Sequence, residues 1–128
     1  MRPLRVLAAA LGAAPLALLL PAPAASAVLV VPCTALVTAT SRHVGTTGTV
    51  VTATVEGHCR GTDWITCDVR IAGATGVLAS NRDSGITNCV ATVSMTGVAF
   101  TPYLAVGQTG YTDSYPAYVY SDATPVVG

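Results

Sequence analysis

Apolar and polar residues alternate at every second position along most of this 128-residue chain. The clearest segment is 64–71, where one side carries Ile65, Cys67, Val69 and Ile71 and the other carries Trp64, Thr66, Asp68 and Arg70. Segments 49–56 and 89–95 repeat the pattern. A period of two is that of a β-strand with one buried and one solvated face, and no segment after residue 27 shows helical spacing. The sequence therefore predicts an all-β fold.

Strands and turns recur at regular intervals after residue 33. We expect strands at residues 34–40, 49–56, 64–71, 77–79, 89–95, 98–106 and 115–121. Segments 81–85 and 107–114 read as loops. Pro102 predicts an edge strand or a bulge, and Pro116 weakens the last strand. About seven short strands joined by glycine-rich turns indicate a small antiparallel β-sandwich, with an immunoglobulin-like or Greek-key architecture.

Four cysteines remain after the N-terminal segment, namely Cys33, Cys59, Cys67 and Cys89. An even count in a small exported chain indicates two disulfides. If residues 34–40 and 49–56 form a hairpin centred near Thr46, Cys33 lies opposite Cys59. That register implies the bridges Cys33–Cys59 and Cys67–Cys89.

Residues 49–73 offer a competing hairpin, centred on Asp63. In that register Cys59 lies opposite Cys67, and the bridges become Cys59–Cys67 and Cys33–Cys89. Both registers keep apolar faces together, so alternation does not decide between them. We favour the first pairing, and we expect the segment 49–73 to be the central hairpin of the fold.

The first 27 residues have the three parts of a secretory signal peptide. Arg2 and Arg5 precede an apolar run at residues 7–20, and Ala25-Ser26-Ala27 supplies the small residues of a cleavage site. The run is shorter than the roughly 20 residues of a membrane-spanning helix. We therefore expect residues 28–128 to form a single secreted, extracellular domain with no stable membrane anchor after cleavage. Its bias toward Ala, Val, Thr and Gly is typical of a bacterial secreted protein.

The charge balance excludes some partner classes. Residues 28–128 contain four arginines, six acidic residues and no lysine, which gives a net charge of −2. A chain of this kind lacks the basic surface of a nucleic-acid-binding protein or of a protein that binds anionic membranes. We expect neither partner.

Catalytic and metal-binding motifs are absent from the sequence. No G-x-S-x-G elbow occurs, S-x-x-K is impossible without lysine, and Glu56 is the only glutamate. The spacings of Cys59, Cys67 and Cys89 match none of the compact zinc pairs, and an oxidising destination disfavours thiolate ligands. We expect no enzyme activity, no metal and no cofactor.

Aromatic residues concentrate near the C-terminus, where all five tyrosines lie between Tyr103 and Tyr120. In a strand over 115–121, Tyr118 and Tyr120 share one face and Tyr115 lies on the other. Exposed rings side by side, with Trp64 as an extension, would suit stacking on a sugar or anchoring a protein. A purely structural role, in which the rings cover a thin core and shield an edge strand, is the favoured interpretation of the pattern.

For function we hypothesise a non-catalytic extracellular module that binds a glycan or a protein through its tyrosine-rich end. The candidate binding residues are Tyr115, Tyr118, Tyr120, Trp64 and Arg60. A first alternative is a hydrolase inhibitor that uses the loop from Arg60 to Trp64, because a loop held by disulfides loses little entropy on binding. A second alternative is a structural envelope or matrix protein.

Overall fold

The computed structural model describes residues 32–128, so the expected signal peptide at residues 1–27 lies outside the described residues. Seven strands and one turn of 3-10 helix, Thr112–Ser114, make up this part of the chain. The strands are β1 (Cys33–Val44), β2 (Gly48–Cys59), β3 (Trp64–Gly73), β4 (Gly76–Ile86), β5 (Asn88–Val98), β6 (Pro102–Tyr111) and β7 (Tyr120–Val127). The predicted all-β class is confirmed. Across residues 32–128, no helix is long and apolar enough to cross a membrane.

The strands form two antiparallel sheets. One sheet has the order β1–β2–β5 and the other has the order β4–β3–β6–β7. The chain changes sheet between β2 and β3, between β4 and β5, and between β5 and β6. The neighbours β2–β5 and β3–β6 are therefore distant in sequence, as in Greek-key sandwiches. The predicted antiparallel sandwich is confirmed.

The expected hairpin across residues 49–73 is wrong. β2 pairs with β1 and β5, whereas β3 pairs with β4 and β6, so the two strands lie in different sheets. Each strand has one apolar face that must be covered, and placing the strands in facing sheets buries both faces against each other. Residues 60–63 are therefore a crossing between the sheets, not a hairpin turn.

The β1–β2 hairpin has the register expected for a turn near Thr46. Cys33 lies opposite Cys59 and Val37 lies opposite Val55. A disulfide joins Cys33 to Cys59 within this sheet. The second disulfide joins Cys67 on β3 to Cys89 on β5, with 5.9 Å between the two Cα atoms, and so connects the two sheets. This is the pairing that the sequence favoured.

The core lies between the sheets and consists of the inward-facing residues of the alternating strands. β2 contributes Val51, Ala53 and Val55, while β3 contributes Ile65, Val69 and Ile71, all fully buried. Burial of each Val or Ile side chain contributes about 1.5–3 kcal/mol relative to exposure. The alternating pattern thus identifies the inner faces of both central strands.

One expected loop, 81–85, and most of another, 107–114, are strands. Residues 81–85 belong to the edge strand β4, and residues 107–111 belong to the interior strand β6. Gly107 is a glycine because the sheets approach closely there: a Cβ atom would lie 2.5 Å from Cγ2 of Val37 and 2.6 Å from Cγ2 of Val55. Glycine in this segment reflects tight packing and not a turn.

The C-terminal part of the chain also departs from expectation. β6 is an interior strand, and Pro102 is its first residue, a position where the missing N–H costs no ladder bond. Residues 115–119 form a loop, and the last strand begins only at Tyr120. This strand tolerates Pro125 because it is an edge strand.

Side chains connect the two sheets at both margins of the sandwich. On one side, the backbone N–H of Val37 on β1 donates to Asp122 Oδ2 on β7 at 3.0 Å. On the other side, Asn81 Nδ2 on β4 donates to the carbonyl of Thr92 on β5 at 2.8 Å. Edge strands of the two sheets are therefore joined across both margins by hydrogen bonds from a side chain to the backbone.

Candidate binding surface

The outward side of the four-stranded sheet has a buried carboxylate at its centre. Asp68 lies in the middle of β3, on the side of the strand that faces away from the core, and yet its side chain is only 6% exposed. Arg82 lies directly opposite on β4, and Gln108 lies directly opposite on β6. A carboxylate buried in this way must be paired or hydrogen-bonded.

Two arginines pair with Asp68. Arg70 Nε donates to Oδ1 at 3.0 Å, and Arg82 donates to Oδ2 from Nη2 at 2.9 Å and from Nε at 3.3 Å. The arginine side chains are 42% and 57% exposed, so the guanidinium groups extend into solvent above the carboxylate. The hydrogen bond to Asp68 raises the pKa of Arg82. This arrangement holds two guanidinium groups side by side on a rigid sheet.

Tyr115 packs over the same carboxylate. The guanidinium carbon of Arg82 lies 5.0 Å from the centre of the Tyr115 ring, a cation–π distance. The Tyr115 hydroxyl donates to Gln108 Oε1 at 3.4 Å. Burial, followed by the nearby charge of Asp68, raises the pKa of the Tyr115 hydroxyl. We refer to Asp68, Arg70, Arg82 and Tyr115 as the charged cluster.

Residues 112–119, which we call the covering loop, lie against this outward face. The hydroxyl groups of Thr66 and Thr112 are 2.9 Å apart. A Cβ atom on Gly110 would lie 2.5 Å from the carbonyl oxygen of Tyr118 and 3.1 Å from Val119, so the absence of a side chain there lets the loop contact β6. The covering loop explains why Asp68 is buried although it points away from the core.

The structure places the two remaining candidate tyrosines on different elements. Tyr118 is 51% exposed and lies in the covering loop, whereas Tyr120 begins β7. Tyr120 is paired with Thr109, whose hydroxyl lies beside the Cys67 sulphur inside the sandwich. The expectation that both rings share one strand face is therefore wrong, because the loop extends to residue 119.

Trp64 lies on the outward side of β3, four residues before Asp68, and is 58% exposed. Its partner on β4 is Ile86, which is also exposed. Tyr118 is thus a second exposed aromatic residue that is attached to the same sheet face. Both rings are exposed on this side of the four-stranded sheet, where they offer apolar surface to a ligand.

Arg60 lies in the exposed crossing at residues 60–63. Its backbone N–H donates to the carbonyl of Pro32 at 3.0 Å, and its carbonyl accepts the Tyr111 hydroxyl at 2.5 Å. The Thr87 hydroxyl donates to the carbonyl of Gly61, and the Thr87 N–H donates to the carbonyl of Asp63. One disulfide lies at each end of the crossing, so the loop is held from both sides.

Two of the five tyrosines stabilise the fold through hydrogen bonds of their hydroxyl groups. Tyr103 is buried, and its hydroxyl oxygen accepts the N–H of Val98 at 2.9 Å. Tyr111 fixes the crossing through Arg60. The tyrosine-rich segment therefore divides into buried, cluster-forming and exposed rings, which spacing along the sequence did not distinguish.

The histidines have local partners and lie on separate elements. His58 Nδ1 lies 2.9 Å from Asn88 Oδ1, and the His43 ring meets Phe100 edge-on with 4.9 Å between ring centres. Residues 32–128 contain no group of three His, Cys, Asp or Glu side chains that could hold a metal ion. Every cysteine of this part of the chain is in a disulfide.

A second surface, which the sequence did not reveal as a unit, lies on the outward side of the three-stranded sheet. Its central rows are uncharged and consist of Thr38, Thr40, Thr52, Thr54, Thr92 and Ser94. Hydroxyl pairs join neighbouring strands, at 3.0 Å between Thr54 and Thr92 and at 2.8 Å between Thr52 and Ser94. In the sequence these residues indicate only a preference for β-strands. Their alignment across neighbouring strands is recognisable only when the strand register is known.

Comparison with known proteins identifies the fold but no family. No protein-family model matches the chain, and no curated protein matches it significantly. Three chains of solved structures match. One is a crystal structure described as a "putative beta-galactosidase from bacteroides fragilis", with a TM-score of 0.55 and 13% sequence identity. The match covers 72% of this chain and 16% of that one, and at this identity it concerns the fold alone.

Proposed function

We propose that this protein is a secreted, extracellular, non-catalytic module that binds glycans through the outward face of its four-stranded sheet. The observation that carries the proposal is the charged cluster around Asp68, with Trp64 exposed on the same sheet face and Tyr118 exposed on the covering loop. Two disulfides are consistent with an extracellular location.

The chemistry of the surface suits a sugar polymer. Sugars present hydroxyl groups at their edges and C–H groups on their ring faces, so they are bound by polar side chains next to aromatic rings. Here the polar groups stand on paired strands and are held by the buried carboxylate, so little conformational entropy is lost when a ligand binds.

The structural comparison supports the proposal only as an analogy of fold. The match covers 16% of a much larger protein described as a "putative beta-galactosidase", so a sandwich of similar fold occurs within a chain that is described as a carbohydrate-active enzyme. The site itself carries the functional argument.

Retention on a panel of insoluble polysaccharides tests the proposal. We expect the wild-type protein to be retained on at least one polymer, and Trp64→Ala with Tyr118→Ala to abolish retention because the ring surfaces are removed. Phe100→Ala is the matched control, since Phe100 is 75% exposed but lies in the β5–β6 turn at the opposite end of the strands. Failure of retention on every polymer, or equal loss with Phe100→Ala, would contradict the proposal.

The rigid crossing at residues 60–63 favours a second candidate function, inhibition of a secreted hydrolase. Its backbone is fixed by Pro32, Tyr111 and Thr87, and the Arg60 side chain is exposed. We expect inhibition of at least one enzyme in a panel of proteases and amylases that is lost with Arg60→Ala and kept with Arg42→Ala. Absence of inhibition throughout the panel rules this candidate out.

A further inference from the structure

We infer that the glycan bound by the charged cluster is anionic and carries carboxylate or sulfate groups, which the two guanidinium groups contact directly. This inference rests on the proposed function and names the ligand chemistry of the same surface. The basis of the inference is that some N–H donors of Arg70 and Arg82 are not hydrogen-bonded to Asp68.

The two arginines retain unused donors. A guanidinium group has five N–H donors, and Asp68 is contacted only through Nε and Nη2 of each arginine. Among the contacts of residues 32–128, neither Nη1 group has a hydrogen-bond acceptor. Both groups belong to side chains that are about half exposed. The surface therefore presents pairs of N–H donors, from which two oxygens of a carboxylate or sulfate group can accept hydrogen bonds.

The donors are held in place before a ligand arrives. The carboxylate of Asp68 is nearly inaccessible and fixes one edge of each guanidinium group, and the Tyr115 ring lies against Arg82. A flexible arginine loses side-chain entropy when it binds an anion, whereas these two have already lost much of it on folding. Pre-organisation of this kind favours direct contact with a carboxylate or sulfate group.

The charges facing this surface are few. On the sheet itself they are Arg70, Arg82 and Asp68, which leaves one positive charge, and Asp113 lies on the adjoining 3-10 helix. Asp83 and Asp122 are paired with Cys67 and Gly107, and so lie on the other side of their strands. Attraction over long distances is therefore weak, and binding depends on paired contacts to the anion.

A polymer fits the surface better than a free anion does. Trp64 and Tyr118 provide exposed ring surfaces on the same side of the sheet as the donors, and an inorganic anion would leave them unused. A polysaccharide with repeated acidic groups contacts both the rings and the guanidinium groups. Carboxylate and sulfate polymers share this chemistry and are separated by the test.

Affinity electrophoresis through gels that contain polygalacturonate, dextran sulfate or neutral dextran tests the inference on the mature, oxidised protein. We expect retardation by at least one anionic polymer and little by neutral dextran. Arg70→Ala should weaken binding about tenfold or more, the equivalent of one charged hydrogen bond. Arg82→Lys keeps the charge but loses the planar pair of donors, so it should weaken binding as well.

Arg42→Ala is the matched control, because it removes the same charge from the three-stranded sheet. Circular dichroism confirms that each variant is folded. Retardation by both anionic polymers indicates shared anion chemistry, and retardation by one identifies the group. Equal binding of neutral and anionic polymers, or equal effects of Arg70→Ala and Arg42→Ala, overturns the inference.

The outcomes also separate this inference from the proposed function. If the protein is retained on a neutral polymer and only Trp64→Ala or Tyr118→Ala abolishes this retention, glycan binding stands and its anionic specificity is refuted. If the protein is retained on no polymer of either kind, the proposed function fails together with the inference.

Discussion

The double substitution Arg70→Ala with Arg82→Ala tests whether Asp68 organises the outward face. Each arginine is half exposed, so loss of one leaves the other paired and costs about 1 kcal/mol or less. Loss of both leaves a carboxylate of 6% exposure without its counter-charges. Breaking a buried pair in this way costs about 3–5 kcal/mol, which lowers the Tm by roughly 12–40 °C for a domain of this size.

Adding Asp68→Asn to the double variant should restore stability. A neutral amide is far less costly to bury than an unpaired charge, so we expect recovery of about 1–3 kcal/mol. Urea unfolding at pH 7 with intact disulfides, followed by circular dichroism, measures each free energy. With Asp68→Asn alone as the fourth protein, beside the wild type, the double variant and the triple variant, the free energies form a cycle in which the effects are strongly non-additive.

The matched control is Arg42→Ala with Arg60→Ala. It removes two arginines that make no ion pair with residues 32–128, and it should change stability by about 0.5 kcal/mol or less. The reasoning is refuted if the Arg70/Arg82 double variant loses no more stability than this control. It is equally refuted if Asp68→Asn gives no recovery.

Three further perturbations have defined outcomes. Gly107→Ala should cost about 1–3 kcal/mol in urea unfolding, because the added methyl meets Val55 across the core, and combination with Val55→Ala should recover part of this loss. Burial raises the pKa of the Tyr115 hydroxyl above its ordinary value of 10.0, so folding stabilises the neutral form. This contribution to stability is complete below pH 10 and is lost as the pH rises through the folded-state pKa. Stability should therefore fall more steeply above pH 10 in the wild type than in Tyr115→Phe; equal slopes contradict a buried hydroxyl. Replacement of Cys67 and Cys89 by Ala removes a bridge of 22-residue separation and should cost about 3 kcal/mol of unfolding free energy.

Alternation in the sequence predicted the inner faces of the strands. The register of the first hairpin followed from a turn near Thr46, which places Cys33 opposite Cys59 and keeps the apolar residues of β1 and β2 on one face. Alternation does not indicate which strands share a sheet, because a strand turns the same face to the core whichever strands it is hydrogen-bonded to. The hairpin expected at residues 49–73 failed for this reason.

The candidate surface was less predictable. Asp68 occupies a polar position in the pattern of β3, and nothing local indicates that it is buried. Its burial depends on Tyr115, which is 47 positions further along the chain and is brought to β3 by a loop that the sequence presented as a strand. The exposed Phe100, with a positive φ of 62°, was also missed because a turn at a bulky residue has no glycine or asparagine to mark it.

The hydrogen bonds at the margins of the sandwich have a consequence for behaviour at high concentration. Unpaired N–H and C=O groups on an edge strand can act as a template for strands of other molecules, and so start fibrous growth. On one margin the N–H of Val37 donates a hydrogen bond to Asp122, and on the other margin Asn81 donates a hydrogen bond to the carbonyl of Thr92. Each margin therefore has part of its docking site for a foreign strand already occupied, which favours a dispersed protein over cross-β aggregation.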